Sequence, residues 1–424
     1  MKLKKGHRHS VDSIEKRKKS KRKVLSYEDM PLEEYKQQDV EISKSAVKRI
    51  IIVVIIMVVL GLIVFAVANR DNLTPEKISN WFRYEILGTH DKGYPVKVVG
   101  STVTESNFYS DNGVAYVSDT AYVSLASTGD ELCYTRHSFS KPMLICEGDN
   151  VMIYNLGGNG YAVGNKKKLG ALRTTKDEKY LITADINSNG DYCIVHQADG
   201  YLSKIIVYNK DNEQIYAYSF AKYYINSVAL NSQGTGCIAC GVTGDSGSMS
   251  GIAYLLDFTK EEPAATFTLD ENIVYSVEYL SNKKVCIVCS ATSYMLDVGS
   301  GSLNQVDYGN MELTAYDIDT DTDSLVLSLS RSGDGRLCSL EYIDSSGKVL
   351  NVIDSKHSVE SLSLYKNRIG ILDSGECYIY DTQGKKLGKS DAGNGAIAIR
   401  LDDVDIAYVL GVNDINKITN FKKK

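Results

Sequence analysis

Leu340-Glu341-Tyr342-Ile343-Asp344-Ser345-Ser346-Gly347-Lys348 reads as an apolar strand closed by an Asp-x-x-Gly turn. Tyr378-Ile379-Tyr380-Asp381-Thr382-Gln383-Gly384-Lys385 repeats it, and Ile205-Ile206-Val207-Tyr208-Asn209, Ala253-Tyr254-Leu255-Leu256-Asp257 and Ser293-Tyr294-Met295-Leu296-Asp297 are looser copies. The copies recur at about 37 to 48 residues, the period of propeller blades. Ahead of several comes a second turn and strand: Asn187-Ser188-Asn189-Gly190 before Tyr192–Val195, Asn231-Ser232-Gln233-Gly234 before Cys237–Gly241, and Ser281-Asn282-Lys283-Lys284 before Val285–Cys289. Helical periodicity is almost absent after Tyr94, and the whole chain holds only 5 prolines.

Counting outward, blades are expected at 106–138, 142–175, 180–221, 224–270, 272–309, 311–355 and 358–391. Three more strands remain at the end, in Ala396–Leu401, Asp405–Leu410 and Asp414–Phe421, and one is spare at the start, Pro95-Val96-Lys97-Val98-Val99-Gly100. Pairing the spare strand with the last three closes an eight-bladed ring without an open sheet edge. Seven blades is the near alternative. The expected fold is therefore an all-β propeller over residues 95–421.

Upstream the chain changes character. Ile50 to Ala68 carries no charge, and at ~1.5 Å per residue it makes about 28 Å of helix, enough for a hydrocarbon core of roughly 30 Å. Residues 1–49 hold 15 Lys/Arg against 8 Asp/Glu, while the overall net charge is −5, so the part beyond the span is acidic. The positive-inside rule then places the N-terminus in the cytoplasm and the large domain outside, a single-pass type II topology. A cleaved signal peptide ending at Ala66-Val67-Ala68 is the competing reading. It is disfavoured by the long charged leader and by an apolar run beyond the usual 7–15 residues.

The tail 1–49 is expected to be largely disordered and attracted to anionic lipid headgroups. Nucleic acid is not expected as a partner, because neither a folded basic face nor interleaved aromatics are visible. Between span and propeller lies a linker, 69–94. Thr74-Pro75-Glu76 opens a short helix there, and Ile78, Trp81, Phe82 and Ile86 form one apolar face. That helix either rests on the membrane surface or packs against the folded domain.

The strand-Asp-x-x-Gly units resemble quinoprotein- and WD40-like propellers in layout. The whole arrangement is similar to an uncharacterised family of membrane-anchored proteins from clostridia and related Gram-positive bacteria. In that family a basic tail and one span precede motifs like Tyr94-Pro95-Val96-Lys97-Val98-Val99-Gly100 and His137-Ser138-Phe139-Ser140-Lys141-Pro142. The resemblance implies localisation and fold and assigns no activity. The Gly-His and Trp-Asp dipeptides of true WD40 repeats are absent.

Four constellations could carry chemistry. Cys237-Ile238-Ala239-Cys240 and Cys286-Ile287-Val288-Cys289 have the spacing of a zinc site, but both lie at the same place in consecutive blades, inside a strand, where residues three apart point to opposite faces. With Cys193, Cys338 and Cys377 they read as small buried hydrophobes. Asp317-Ile318-Asp319-Thr320-Asp321-Thr322-Asp323 starts like a calcium loop, yet Ser324 replaces the required Gly and Ser330 the bidentate Glu, so a solvated acidic hairpin is expected. Gly244-Asp245-Ser246-Gly247 matches a serine-protease nucleophile motif on a chain whose repeats suit a different fold, and it reads as a long hairpin. The 29 tyrosines suit contact surfaces where exposed and strand interiors elsewhere.

No catalytic, cofactor-binding or metal-ligating residue is assigned, and no cofactor. The expected function is a non-enzymatic binding or scaffolding module in the cell envelope, with another envelope protein as partner. The second reading is an envelope sensor or enzyme using the propeller channel for a small molecule, quinone or glycan. Carboxylates and His converging at the channel mouth favour the second; an apolar, Tyr-rich face without perturbed titratable groups favours the first.

Overall fold

The structure is a computed structural model that describes residues 53, 57, 93–245, 248–270, 272–331, 337–419 and 421. The chain divides into two units, 1–74 and 75–424. Of the first, only Val53 and Met57 are described, both helical. The tail, the rest of the expected span and the juxtamembrane helix lie outside the described residues. Among the described residues no helix is long and apolar enough to cross a membrane.

The second unit is an eight-bladed propeller, which settles the choice between seven and eight. Seven antiparallel sheets are contiguous in sequence: 108–136, 142–174, 181–220, 224–268, 274–307, 312–354 and 361–391, numbered here as blades 1 to 7. Each falls within a few residues of the block expected from turn spacing. In blade 2 the fourth strand is broken into Lys168–Leu169 and Arg173–Thr174. Blade 8 combines Ala396–Asp403, Ile406–Gly411 and Asp414–Ile418 with the N-terminal Val96–Lys97. Val96 pairs with Ile415 and Lys97 with Asp414, and the Val98 N–H adds a bond to the Asn413 carbonyl at 2.9 Å. The ring is thus closed by main-chain bonds between the first and last strands.

The recurrent turns have one physical cause. Asp344 Oδ1 accepts the N–H groups of Ser346 and Lys348, and Asp381 Oδ1 accepts those of Gln383 and Lys385. Gly347 and Gly384 then take φ of +83° and +86°, a region open to glycine at no steric cost. Asn187 Oδ1 does the same for Asn189 and Asp191, ahead of Gly190.

First strands of successive blades pack against one another, as Leu181–Ile186 does on Tyr224–Leu230 and Tyr224–Leu230 on Val274–Ser281. They therefore surround the centre, and fourth strands form the rim. The core is divided into eight hydrophobic clusters, one at each blade interface. Each fully buried Val, Leu or Ile there contributes about 1.5–3 kcal/mol of transfer free energy. No blade buries both faces alone, so the ring stands or falls together.

Candidate functional site

Five first strands carry a β-bulge near their start, at Ile182, Asn226, Tyr275, Thr314 and Ile397. A bulge re-aims the residues that follow it. Three positions on from each stand Asp185, Ala229, Glu278, Asp317 and Arg400, so chains of very different local sequence bring one structural position to the same depth. Tyr109 in blade 1 interacts electrostatically with Glu278, Arg400 and Asp185, from blades 5, 8 and 3. Groups on such separate strands can meet only across the centre, so this position faces the channel.

The channel wall is acidic. Burial pushes the Asp185 carboxyl well up, with Glu278 adding like charge. Glu278 is open to the channel, yet protein crowds out much of its water. That loss, with the charges of Glu147 and Asp317, brings it up to about 7. Asp317 is pushed up to about 6 by burial, against the pull of Arg400 and of the Leu364 N–H. Glu147 is also raised, chiefly by burial. The cation among them is committed: Arg400 Nη1 reaches Glu105 Oε1 at 3.1 Å and Nη2 the Glu105 carbonyl at 3.1 Å. Ser361 Oγ donates to the same Glu105 carboxylate at 2.6 Å and accepts the Ile399 N–H at 3.1 Å.

Two of these carboxylates bind across blades. Asp185 Oδ2 accepts the Leu230 N–H at 2.7 Å, and Asp317 Oδ2 accepts the Leu364 N–H at 2.6 Å. Ser363 Oγ accepts the Leu401 N–H at 3.0 Å, and Asn107 Oδ1 the Leu144 N–H at 3.0 Å. A first strand has an unpaired inner edge, and its donors must find partners once water is thinned out. Glu278, by contrast, makes no side-chain hydrogen bond to the described residues.

One end of the ring carries the second-to-third strand turns and the blade-to-blade connections. Exposed large apolar side chains collect there over blades 3 to 5: Tyr180, Tyr201, Leu202, Tyr224, Met249 and Tyr275, 40–55% exposed. Met249 lies near the tip of the blade 4 hairpin of Gly236–Asp245 and Ser248–Asp257, which runs past that blade's fourth strand. Tyr224 and Tyr275 stand at the channel rim on first strands. Together they give this end of blades 3 to 5 apolar and aromatic contact area.

The cysteine pairs are core, as expected, but with a shifted register. Cys237, Cys240, Cys286 and Cys289 are fully buried free thiols, and burial pushes each up. The two pairs do not occupy equivalent places. Cys237 joins the cluster between blades 3 and 4 and Cys286 that between blades 5 and 6, whereas Cys240 and Cys289 share the cluster between blades 4 and 5. The one-residue offset spreads the four thiols over three interfaces, with only Cys240 and Cys289 in a common one.

The Asp317–Asp323 segment is not simply a solvated hairpin. Asp317 turns into the channel, and Asp319, 9% exposed, accepts Asp321 N–H, Thr322 Oγ1–H and, from blade 7, Lys366 N–H at 2.9, 3.0 and 2.5 Å. Among the described residues no group of three or more His, Cys, Asp or Glu could hold a metal ion. Of Gly244–Gly247, the described Gly244 and Asp245 lie on the hairpin. His137 stacks on Phe139 in the connection between blades 1 and 2, His196 lies on the second strand of blade 3 with Nδ1 2.6 Å from the Gln197 carbonyl, and His357 contacts Asp373 at 2.8 Å between blades 6 and 7, so among the described residues no histidine stands with the channel carboxylates. Sequence reasoning missed the channel position because its residue type changes from blade to blade.

Solved structures share the fold. BamB from Moraxella catarrhalis superposes with a TM-score of 0.51 at 10% identity, covering 78% of this chain and 97% of that one. The C-terminal WD40 domain of Sif2 gives 0.54 at 13% identity, covering 77% and 97%. Among curated proteins none matches the sequence. Residues 89–419 match the profile of a family of unknown function, DUF5711.

Proposed function

Since the chain belongs to this family of unknown function, its role has to be argued from its surface, and we propose that it is a non-enzymatic binding module for another protein. In this reading the propeller is held outside the cell membrane by the apolar run 50–68, with the basic tail in the cytoplasm against anionic lipid. The observation that carries the proposal is the apolar, Tyr-rich arc on one end of blades 3 to 5. Tyrosine offers large contact area at low entropic cost, and apolar rims of this kind are where partners seat. That Asp185 and Asp317 are occupied with main-chain N–H groups supports a wall built for architecture more than for turnover.

The test is photo-crosslinking in intact cells from the full-length chain. With the probe at Leu202 or Tyr275, one envelope protein should be captured repeatedly; with the probe at Ile215 on the rim, it should not. Recovery of nothing but lipid from the arc would sink the reading. Topology is checked separately: protease added to intact cells should digest the part after Ala68 and spare the tail.

The acidic channel favours a second reading, a sensor for a small ligand. It would gain if a small molecule raised the melting temperature of wild type and not of Glu278→Gln.

A further inference from the structure

The arc and the channel adjoin. Tyr275 and Glu278 lie on the same first strand, three residues and so about 10 Å apart. Tyr275, at the bulge, is 53% exposed at the rim, and Glu278 opens into the channel below it. Glu147, Asp185 and Asp317 stand around Glu278, while Arg400 is taken up by Glu105. A concave site with low-dielectric walls and one sign of charge focuses its field on whatever covers its mouth.

Resting on the binding-module reading, we propose that the partner presents an extended, largely apolar polypeptide segment with one arginine or lysine, its apolar side chains on the arc and its cation in the channel beside Glu278. Three points select this occupant. The described carboxylates include no group of three fit for a metal ion, so a free divalent cation is poorly matched. A guanidinium or ammonium on a long stem needs only one uncommitted carboxylate, and Glu278 is uncommitted where Asp185 and Asp317 are not. Tyr224 and Tyr275 at the rim add aromatic faces, which favour a passing cation. An anionic lipid surface would meet like charge here.

The test pans displayed random peptides against the full-length protein in detergent micelles and measures the selected peptides by fluorescence anisotropy. Enriched peptides should carry Arg or Lys between aromatic or aliphatic residues. Their Kd should weaken about five- to tenfold in Glu278→Gln, further in Glu278→Lys, and with added salt, as a steered charge contact does. A single cooperative melt of Glu278→Gln at pH 8, at or above that of wild type, verifies that the variant is folded. Peptides without a cation, an empty selection, or a Kd indifferent to Glu278→Gln would overturn the inference. Peptides weakened by Leu202→Ser yet indifferent to Glu278→Gln would overturn it while leaving the binding module standing. Failure of arc crosslinking in cells would remove both.

Discussion

Asp317 Oδ2 accepts the backbone N–H of Leu364 at 2.6 Å, 47 residues further on and in the next blade. Asp185 and Leu230 repeat the relation across 45 residues. A side chain of one first strand thus satisfies the orphan donor of the next, so the channel wall doubles as a ring of latches.

Asp317→Ala and Asp317→Asn should therefore part company. Alanine leaves the Leu364 donor without its acceptor, a loss of about 1–3 kcal/mol in urea unfolding. Asparagine keeps an acceptor and removes a charge disfavoured there, so at pH 8 it should be neutral or stabilising. Equal destabilisation by both would show that the latch is not what the position supplies.

Stability should fall as pH rises from 6 to 8. Asp185, Glu278, Asp317 and Asp402 all have folded-state pKa values above those of an unfolded chain, the last three at about 7, 6 and 6. The folded protein then holds more protons than the unfolded one, and the unfolding free energy drops with pH through that window. Across that range thermal melts should be highest at pH 6 and lowest at pH 8, with Glu278→Gln flattening the slope. A melting temperature that rises toward pH 8 would contradict the raised carboxylates.

Ring closure depends on very few residues. Deleting residues 94–99 removes Val96–Lys97 and bares the edge of Asp414–Ile418. It also removes Tyr94, whose ring lies 5.2 Å from that of Tyr408 and whose hydroxyl bonds the Ala126 carbonyl. The deletion variant should melt well below wild type and associate through the free edge, read by calorimetry and size-exclusion chromatography. A monomer of unchanged stability would mean that the ring closes otherwise.

The buried thiols should be inert in the native state. Cys193, Cys237, Cys240, Cys286, Cys289, Cys338 and Cys377 are buried, and burial suppresses thiolate formation at Cys193, Cys237, Cys240, Cys286, Cys289 and Cys377. Ellman's reagent should label them only after denaturation. Zinc or a chelator should leave the melting temperature unmoved; a zinc-dependent shift would restore the metal reading of the CxxC pairs.

The architecture was legible before any coordinates. Asp344 with Gly347, and Asp381 with Gly384, announce their turns locally, because an acidic side chain and a left-handed glycine two or three residues apart have one main use. Short apolar runs between Gly, Asn, Asp and Ser turns made strands, their period made blades, and the spare Pro95–Gly100 segment pointed to closure. Some readings failed on one-residue detail. The CxxC pairs looked equivalent, but strands have period two, so a single-residue offset turned Cys237 toward blade 3 and Cys286 toward blade 6.

By itself the sequence determined what is encoded within a few neighbouring residues: strands, turns, their repeat, and the contrast between a basic tail, an apolar run and an acidic domain. Only tertiary structure decided that Asp185, Glu278 and Asp317 share one wall with Arg400, and that Tyr201, Leu202 and Tyr275 share one face. Those groupings arise from closing eight sheets into a ring, which brings together residues scores of positions apart. Bulges set their depth, and no local pattern of residues announces either.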